Sequence, residues 1–421
     1  MRSLTFLLFL PMGLACLELR AAEPLVVTGR MHHLRAAAER EWANFPEIPE
    51  AKELNLAFTA ANSGPATLRL RQQDVKQRWK VRLNAKELGE LPIDENDMVV
   101  YFEILAGTLV EGENRLLIEQ QGDKADDVRV GEIHIEPRAM AEVLGETTVQ
   151  VSVTDAARAA VPCRITVLNE AGALQTLGAA SNEHMAVRPG IAYTASGRAT
   201  FGLPAGSYTV IAGRGFEYSI DRAEFTTKPG ETSQLALAIR REVPTPGYVA
   251  CDTHVHTRTY SGHGDATIEE RMITLAAEGI ELPIATDHNV HIDYESPARA
   301  MKVREYFTPV IGNEVTTRTG HFNVFPIASG AAAPDHRSDD WNETFAAIFA
   351  TPGVKIAILN HARDLHGGTR PFGPLLFNET IGENTAGWPM KFNAMEVVNS
   401  GATQTDPLEL LRDWMALLNR G

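Results

Sequence analysis

Apolar and polar positions alternate through the first half of this chain and then change rhythm. From about residue 50 to 137 the period is two. "WKVRLN" (79–84) and "RLLIEQ" (115–120) read as strands, and the turn "EGEN" (111–114) leads into the second. No long helical period interrupts them, so a β-sandwich is expected over 50–137. A second all-β segment spans 146–241, where "TVQVSVTDA" (148–156) and "QLALAI" (234–239) alternate cleanly. Between them "GRATFGLPAGSYTVIAGRG" (197–215) reads as strand, Leu-Pro-Ala-Gly turn, strand. "EVPTPG" (242–247), with two prolines and a glycine, is a linker.

After residue 248 strands alternate with helices. A helix from about Ile268 to Glu278 is expected, with Thr267 and Glu270 as its capping box and Gly279 as its stop. A strand over Ile280–Thr286 follows, and "TPVIGNE" (308–314), "KIAILNH" (355–361) and "NAMEVVNS" (393–400) read as further short buried strands. That repetition argues for a parallel α/β sheet or barrel. The 421 residues therefore divide into two all-β units and one α/β unit.

Composition matters mostly for what it excludes. Lys and Arg number 39 against 54 Asp and Glu, a net charge of −15, and no basic run offers a phosphate-backbone surface for nucleic acid. Met1-Arg2, the apolar stretch Leu4–Leu17 and the small residues at Ala21-Ala22 have the layout of a secretory signal over 1–22, which implies a secreted or periplasmic protein. Glu18 and Arg20 cut the apolar run short of the about 20 residues a membrane span needs. Gly13-Leu14-Ala15 before Cys16 is a poor lipobox match. With the signal removed, Cys163 and Cys251 remain, and they make no disulfide framework.

Histidine carries the chemistry. Of 13, nine fall after residue 248 (His254, His256, His263, His288, His291, His321, His336, His361, His366). His254 and His256, in "CDTHVHT" (251–257), are i and i+2 on an extended segment and share one face about 6–7 Å apart. "LPIATDHN" ends at Asp287-His288, "PVIGNE" at Glu314, and "IAILNHAR" reaches His361; His321 follows Glu314 by seven residues. Strand ends are where catalytic groups converge in parallel α/β architectures. A single strand-end histidine is ordinarily a core or surface residue, but five such positions in register point to a metal site.

The order D-x-H-x-H, T-D-H-N, G-x-E-V, a histidine soon after, then N-H resembles the PHP (polymerase and histidinol phosphatase) superfamily, over about 248–421. The closest branch by texture is the secreted metallohydrolases with upstream β-sandwiches. The resemblance implies a distorted seven-stranded α/β barrel with two or three divalent ions, zinc, manganese or iron, at the strand C-termini. It makes His254 and His256 ligands of a first ion and Glu314 the bridge to a second, which His321 and His361 complete. His288 would serve a third with His263, or less favourably Asp265, beside it. Asp287 and Arg363 are the expected catalytic residues. Asp252 and Asp287 could also orient imidazoles or simply cap strand ends, and Arg318 and Arg363 could hold a substrate anion or be ordinary surface arginines. Upstream, 50–137 resembles the galactose-binding-like jelly rolls, and 146–241 resembles the prealbumin-like regulatory sandwiches found beside carboxypeptidases, read here as a spacer.

What the family implies is hydrolysis of a small-molecule ester, foremost a phosphoester, by a hydroxide bridging two ions. A carbamate or other ester hydrolase on the same ligands is the alternative, and a non-catalytic exported binding protein is the competing class. The family's closing Asp-x-His pair does not follow "PLELLRDWMALLN", a last helix capped by Thr405-Asp406-Pro407, and strands near 250, 284, 311, 357 and 396 make five of seven. The expectation is a C-terminally truncated, incomplete barrel.

Overall fold

The computed structural model describes residues 23–41, 44–61, 63–364, 370–398 and 408–420. The expected signal segment, His366 and the expected cap at Thr405–Pro407 lie outside the described residues. The protein is multidomain and β-rich, with several sandwich-like sheets.

The first sandwich packs a four-stranded antiparallel sheet, in the order Glu53–Ala60, Gly112–Gln120, Trp79–Leu83, Lys86–Glu90, against one half of a ten-stranded sheet. Its core draws on both layers: Trp79, Val81, Leu116 and Ile118 from the small sheet meet Leu68, Leu70, Val100 and Val130 from the large one. The sandwich begins earlier than the expected residue 50. Leu25–Leu34 is a strand paired antiparallel with Val128–Glu136, and two register shifts within it break the alternation that would have marked it in the sequence.

The ten-stranded sheet does not stop at the domain boundary. Leu174–Gln175 pairs in parallel with Met98 and Val99 of the first sandwich and antiparallel with Cys163–Asn169 of the second. The second half of that sheet packs on a three-stranded sheet (Arg198–Leu203, Thr147–Thr154, Thr232–Ala238) around Val151, Ile165, Phe201 and Val210. The two sandwiches thus have separate cores and one continuous sheet.

The C-terminal unit combines a three-stranded parallel sheet with a four-stranded mixed one. Cys251–Val255, Leu282–Ala285 and Val310–Ile311 run parallel, and the helix Ile268–Ala277 lies between the first two in sequence. That helix starts with the expected capping box, Thr267 and Glu270 each bonding the other's backbone N–H, and Gly279 follows its end at φ 67°. Asn313–Thr316 and Ile356–Leu359 flank the strand His321–Phe325, both antiparallel to it, and Ala394–Met395 adds a parallel edge. The antiparallel strand at His321 departs from the purely parallel expectation. It puts a strand's first residue, rather than its last, beside Glu314.

The chain crosses from one sheet to the other at Gly312. A Cβ there would stand 2.7 Å from Ile284 Cγ2 and 2.9 Å from Ala285 O, so only glycine lets Glu314 follow so closely on Ile311. Across the same seam, Asn323 donates from Nδ2 to Thr253 O at 2.9 Å.

The second sandwich also grips the helix Ile268–Ala277. Arg214 donates to Pro162 O and Ala276 O, Arg164 pairs with Glu278 at 2.8 Å, and Arg188 forks onto Glu270 at 3.1 and 3.2 Å. Burial works against the Glu270 charge, but bonds from Arg188, Ser181 and the Thr267 N–H outweigh it and hold its pKa at about 2, below an ordinary 4.5. A carboxyl depressed on folding stabilises fully above pH 4.5, and that stabilisation is lost as pH falls toward 2. Thermal melts followed downward from pH 4.5 should therefore fall more steeply for the wild type than for Glu270→Gln, which has no such proton to take up.

Candidate metal centre

Four strand ends and two loops deliver seven side chains to one place. Glu314 is fully buried at the second residue of its strand, next to the seam. Its two oxygens divide the surrounding imidazoles. Oε1 faces His321 Nδ1 and His361 Nε2, each at 3.2 Å, and accepts from Asn360 Nδ2 at 3.0 Å. Oε2 faces His256 Nε2 at 3.0 Å, His288 Nδ1 at 3.1 Å and His254 Nε2 at 3.4 Å, yet none of these makes a well-formed hydrogen bond to it. His254 and His256 bring their Nε2 atoms within 2.9 Å of each other, and His263 and His288 bring theirs within 2.5 Å.

These separations fit a shared cation. Nitrogen and oxygen ligands about 2.0–2.2 Å from one ion stand roughly 3–3.4 Å apart. Three groups of ligand atoms converge within 4.8 Å: His254, Glu314 and His361; His288, Glu314 and His321; and His256, His263 and His288. A buried carboxylate oxygen with three ring nitrogens near it and no proper donor is an acceptor still wanting a positive partner. The donors are all imidazole and carboxylate, which suits zinc, manganese or iron.

Further partners orient the rings. His254 Nδ1 meets Glu396 Oε1 at 2.6 Å, and His361 N–H donates to Glu396 Oε2 at 2.8 Å. That second bond holds His361 at φ 28°, a backbone conformation an L-residue seldom adopts. Ser261 Oγ lies 3.3 Å from His256 Nδ1 and donates to Asp287 Oδ1 at 2.7 Å, so the hydroxyl oxygen can accept from Nδ1 and leave His256 Nε2 free as a ligand. His288 Nδ1 stands 2.6 Å from Thr316 Oγ1.

The charges at the centre are strongly coupled. Burial alone would raise the Glu314 pKa, but the imidazoles of His254, His256, His321 and His361 pull it well below the usual carboxylate range. Burial likewise opposes a proton on His254, yet Glu314 and Glu396 raise it to about 10. At His288 burial and the neighbouring rings His256, His263 and His321 overcome the pull of Glu314 and lower it to about 4, leaving a neutral imidazole with a lone pair to give.

Every histidine and the glutamate expected as ligands, namely His254, His256, His263, His288, Glu314, His321 and His361, meet here. The two residues expected to be catalytic do not meet it directly. Asp287 is fully buried, and its oxygens accept from Thr257 N and Oγ1, Ser261 Oγ and Tyr294 O–H, so it acts through Ser261 as a positioning residue. Arg363 forks onto the buried Asp413 at 2.6 and 2.9 Å and reaches Glu409 at 3.2 Å. It ties the segment after His361 to the helix Glu409–Arg420, because a buried aspartate needs a cation. Asp265 bonds Arg188 and Arg271 rather than joining the rings, and Arg318 pairs with Asp339. Asp252 accepts from His254 N–H at 3.0 Å, a local turn. Glu396 went unnoticed in the sequence, because it sits inside "NAMEVVNS" with Val397 and Val398 after it rather than at the end of an apolar run.

No family model matches the chain, and no curated protein matches it. Among solved structures, the Bacillus anthracis TIE protein is 12% identical with a TM-score of 0.17, over 50% of this chain, which spans 41% of that protein's length. The major pilin subunit of Bacillus cereus is 10% identical (TM-score 0.18, 52% of this chain and 70% of that one). A β-glucuronidase of Bifidobacterium dentium is 12% identical (TM-score 0.20, 69% and 61%). Likenesses this distant carry no argument about the fold or the site.

Glu396 should matter through the rings it holds. Glu396→Gln is expected to lower metal affinity about 10–100-fold with the fold intact, as loss of an outer carboxylate does elsewhere. Metal titration beside circular dichroism checks both halves of that expectation.

Proposed function

We propose that this chain is an exported metal-dependent hydrolase of the PHP type, acting on phosphoesters, with residues 248–421 forming part of that family's distorted α/β barrel. The observation that supports it most is the division of Glu314: one oxygen toward His321 and His361, the other toward His254, His256 and His288. A carboxylate shared by the groups His254–Glu314–His361 and His288–Glu314–His321 is suited to bridging two cations, a pairing different from the one the motif order implies. His256, His263 and His288 form a third group. Divalent ions held there acidify water and polarise the bond to be cut.

The chain's own residues supply the rest. Glu396, Asn360, Thr316 and the Ser261–Asp287 pair fix ring tautomers and the Glu314 carboxylate before any ligand arrives. The layout of residues 1–22 supports export. The phosphoester class rests on the motif order D-x-H-x-H, T-D-H-N, G-x-E-V and N-H.

The test is metal content and hydrolysis together. The wild type, reconstituted with manganese or zinc, should hold two or more ions per chain and cleave p-nitrophenyl phosphate or its diester. Glu314→Gln should lose bound metal and at least about a hundredfold in rate, since it removes the bridge both ions share. Wild-type turnover in Glu314→Gln would sink the bridging role. Turnover of p-nitrophenyl acetate but neither phosphate would move the substrate class to carboxylic esters.

A further inference from the structure

The second sandwich touches the loop that carries the outermost histidine. Arg188 ends the strand Met185–Arg188 of that sandwich, and its side chain is only 14% exposed. One face of its guanidinium forks onto Glu270, the capping-box residue of the helix Ile268–Ala277. Its Nε donates to Asp265 Oδ2 at 3.0 Å. Asp265 stands two residues after His263, and Arg271 reaches its other oxygen at 3.3 Å while donating from Nε to His256 O at 3.0 Å.

Those contacts fall where His263 needs them. His263 is exposed and lies between Gly262 (φ 72°) and Gly264 (φ 85°), neither of which has an atom within 4 Å of where a side chain would begin. Glycines of this kind leave the backbone free to turn, so the position of residue 263 depends on how its two flanks are tied. On the near side Thr257 caps the short turn Arg258–Ser261, and Ser261 is bonded to Asp287. Arg258 N–H closes the loop at its base by donating to Ala266 O at 2.7 Å. On the far side the tie nearest to His263 is Asp265, and Asp265 is held by Arg188 and Arg271.

We propose that Arg188 positions His263, so that the second sandwich completes the His256–His263–His288 donor group rather than serving as a spacer. An exposed carboxylate meeting a floppy arginine would fix little. Here the guanidinium is already locked by two bonds to Glu270, so holding Asp265 orders little more of the side chain. The inference rests on the metal-site reading above, and the experiment separates the two.

Metal bound per folded chain, together with a cobalt titration read by its visible absorption, is compared for wild type, His263→Ala, Asp265→Ala and Arg188→Ala. Asp265→Ala is the deciding variant, because it cuts the tie to the loop and leaves the Arg188–Glu270 pair in place. Arg188→Ala also loosens the domain contact and should melt earlier. The expected result is that Asp265→Ala and Arg188→Ala weaken the last-filling ion about tenfold or more, as His263→Ala does, while the ions at Glu314 keep their affinity. A folded Asp265→Ala chain that fills every site with wild-type affinity overturns the role of Arg188 and leaves the metal site standing. A wild type that takes up no metal overturns the metal site itself, and with it this inference.

Discussion

A carboxylate with no exposure to water is the constraint on which the C-terminal unit turns. Burying an unpaired Glu314 would cost several kcal/mol. The protein meets that with positive or proton-bearing groups from strands far apart in sequence, at His254, His256, His288, His321 and His361. The dependence runs both ways. Without Glu314 the crowded rings would have no common acceptor, and without the rings Glu314 would not stay ionised. The geometry also explains why Gly312 must be bare of a side chain. The carboxylate can reach all five rings only if its strand leaves the first sheet within two residues of Ile311.

Around that centre, polar side chains do more orienting than packing. Glu396 is the clearest case, since its two oxygens serve one ring and one strained backbone position at once. Asp287 does comparable work at one remove, holding Thr257, Ser261 and Tyr294 and, through Ser261, the His256 ring. Such arrangements order donor atoms in advance, so less is lost in ordering them when a cation binds.

Much of this was legible in the sequence, and the failures have physical reasons. The alternation in "WKVRLN" and "TVQVSVTDA" revealed half-buried strands because a two-residue period puts every second side chain in a core. The strand Leu25–Leu34 escaped because its bulges destroy that period. The continuous ten-stranded sheet escaped because it is joined by only the two residues Leu174–Gln175, and pairing between distant strands leaves no local signature. The convergence of the candidate donors was legible because each stops an apolar run or follows one closely. Which of its alternatives Asp287 would follow, and what Arg363 would hold, was not legible for the converse reason. A charged residue beside a ligand has its role set by partners such as Tyr294 or Asp413, and nothing near it in sequence names them. The strand at His321 was overlooked because "HFNVF" mixes polar and apolar residues without a clean period.

The site is graded from its floor to its rim. Glu314, Asn360 and Asp287 are fully or almost fully buried, the rings of His254 and His361 are partly covered, and His263 stands exposed between two glycines. Burial strengthens every electrostatic interaction at the floor and makes its geometry hard to alter, because each atom there has neighbours that would have to move with it. Exposure at the rim gives His263 the opposite character. One flank of its loop is held from beyond the loop, where Asp265 bonds Arg188 and Arg271. On the function proposed above, an incoming ligand would meet the exposed ring first and the buried carboxylate last. Its charge would then be selected at the floor of the site, and its shape at the rim.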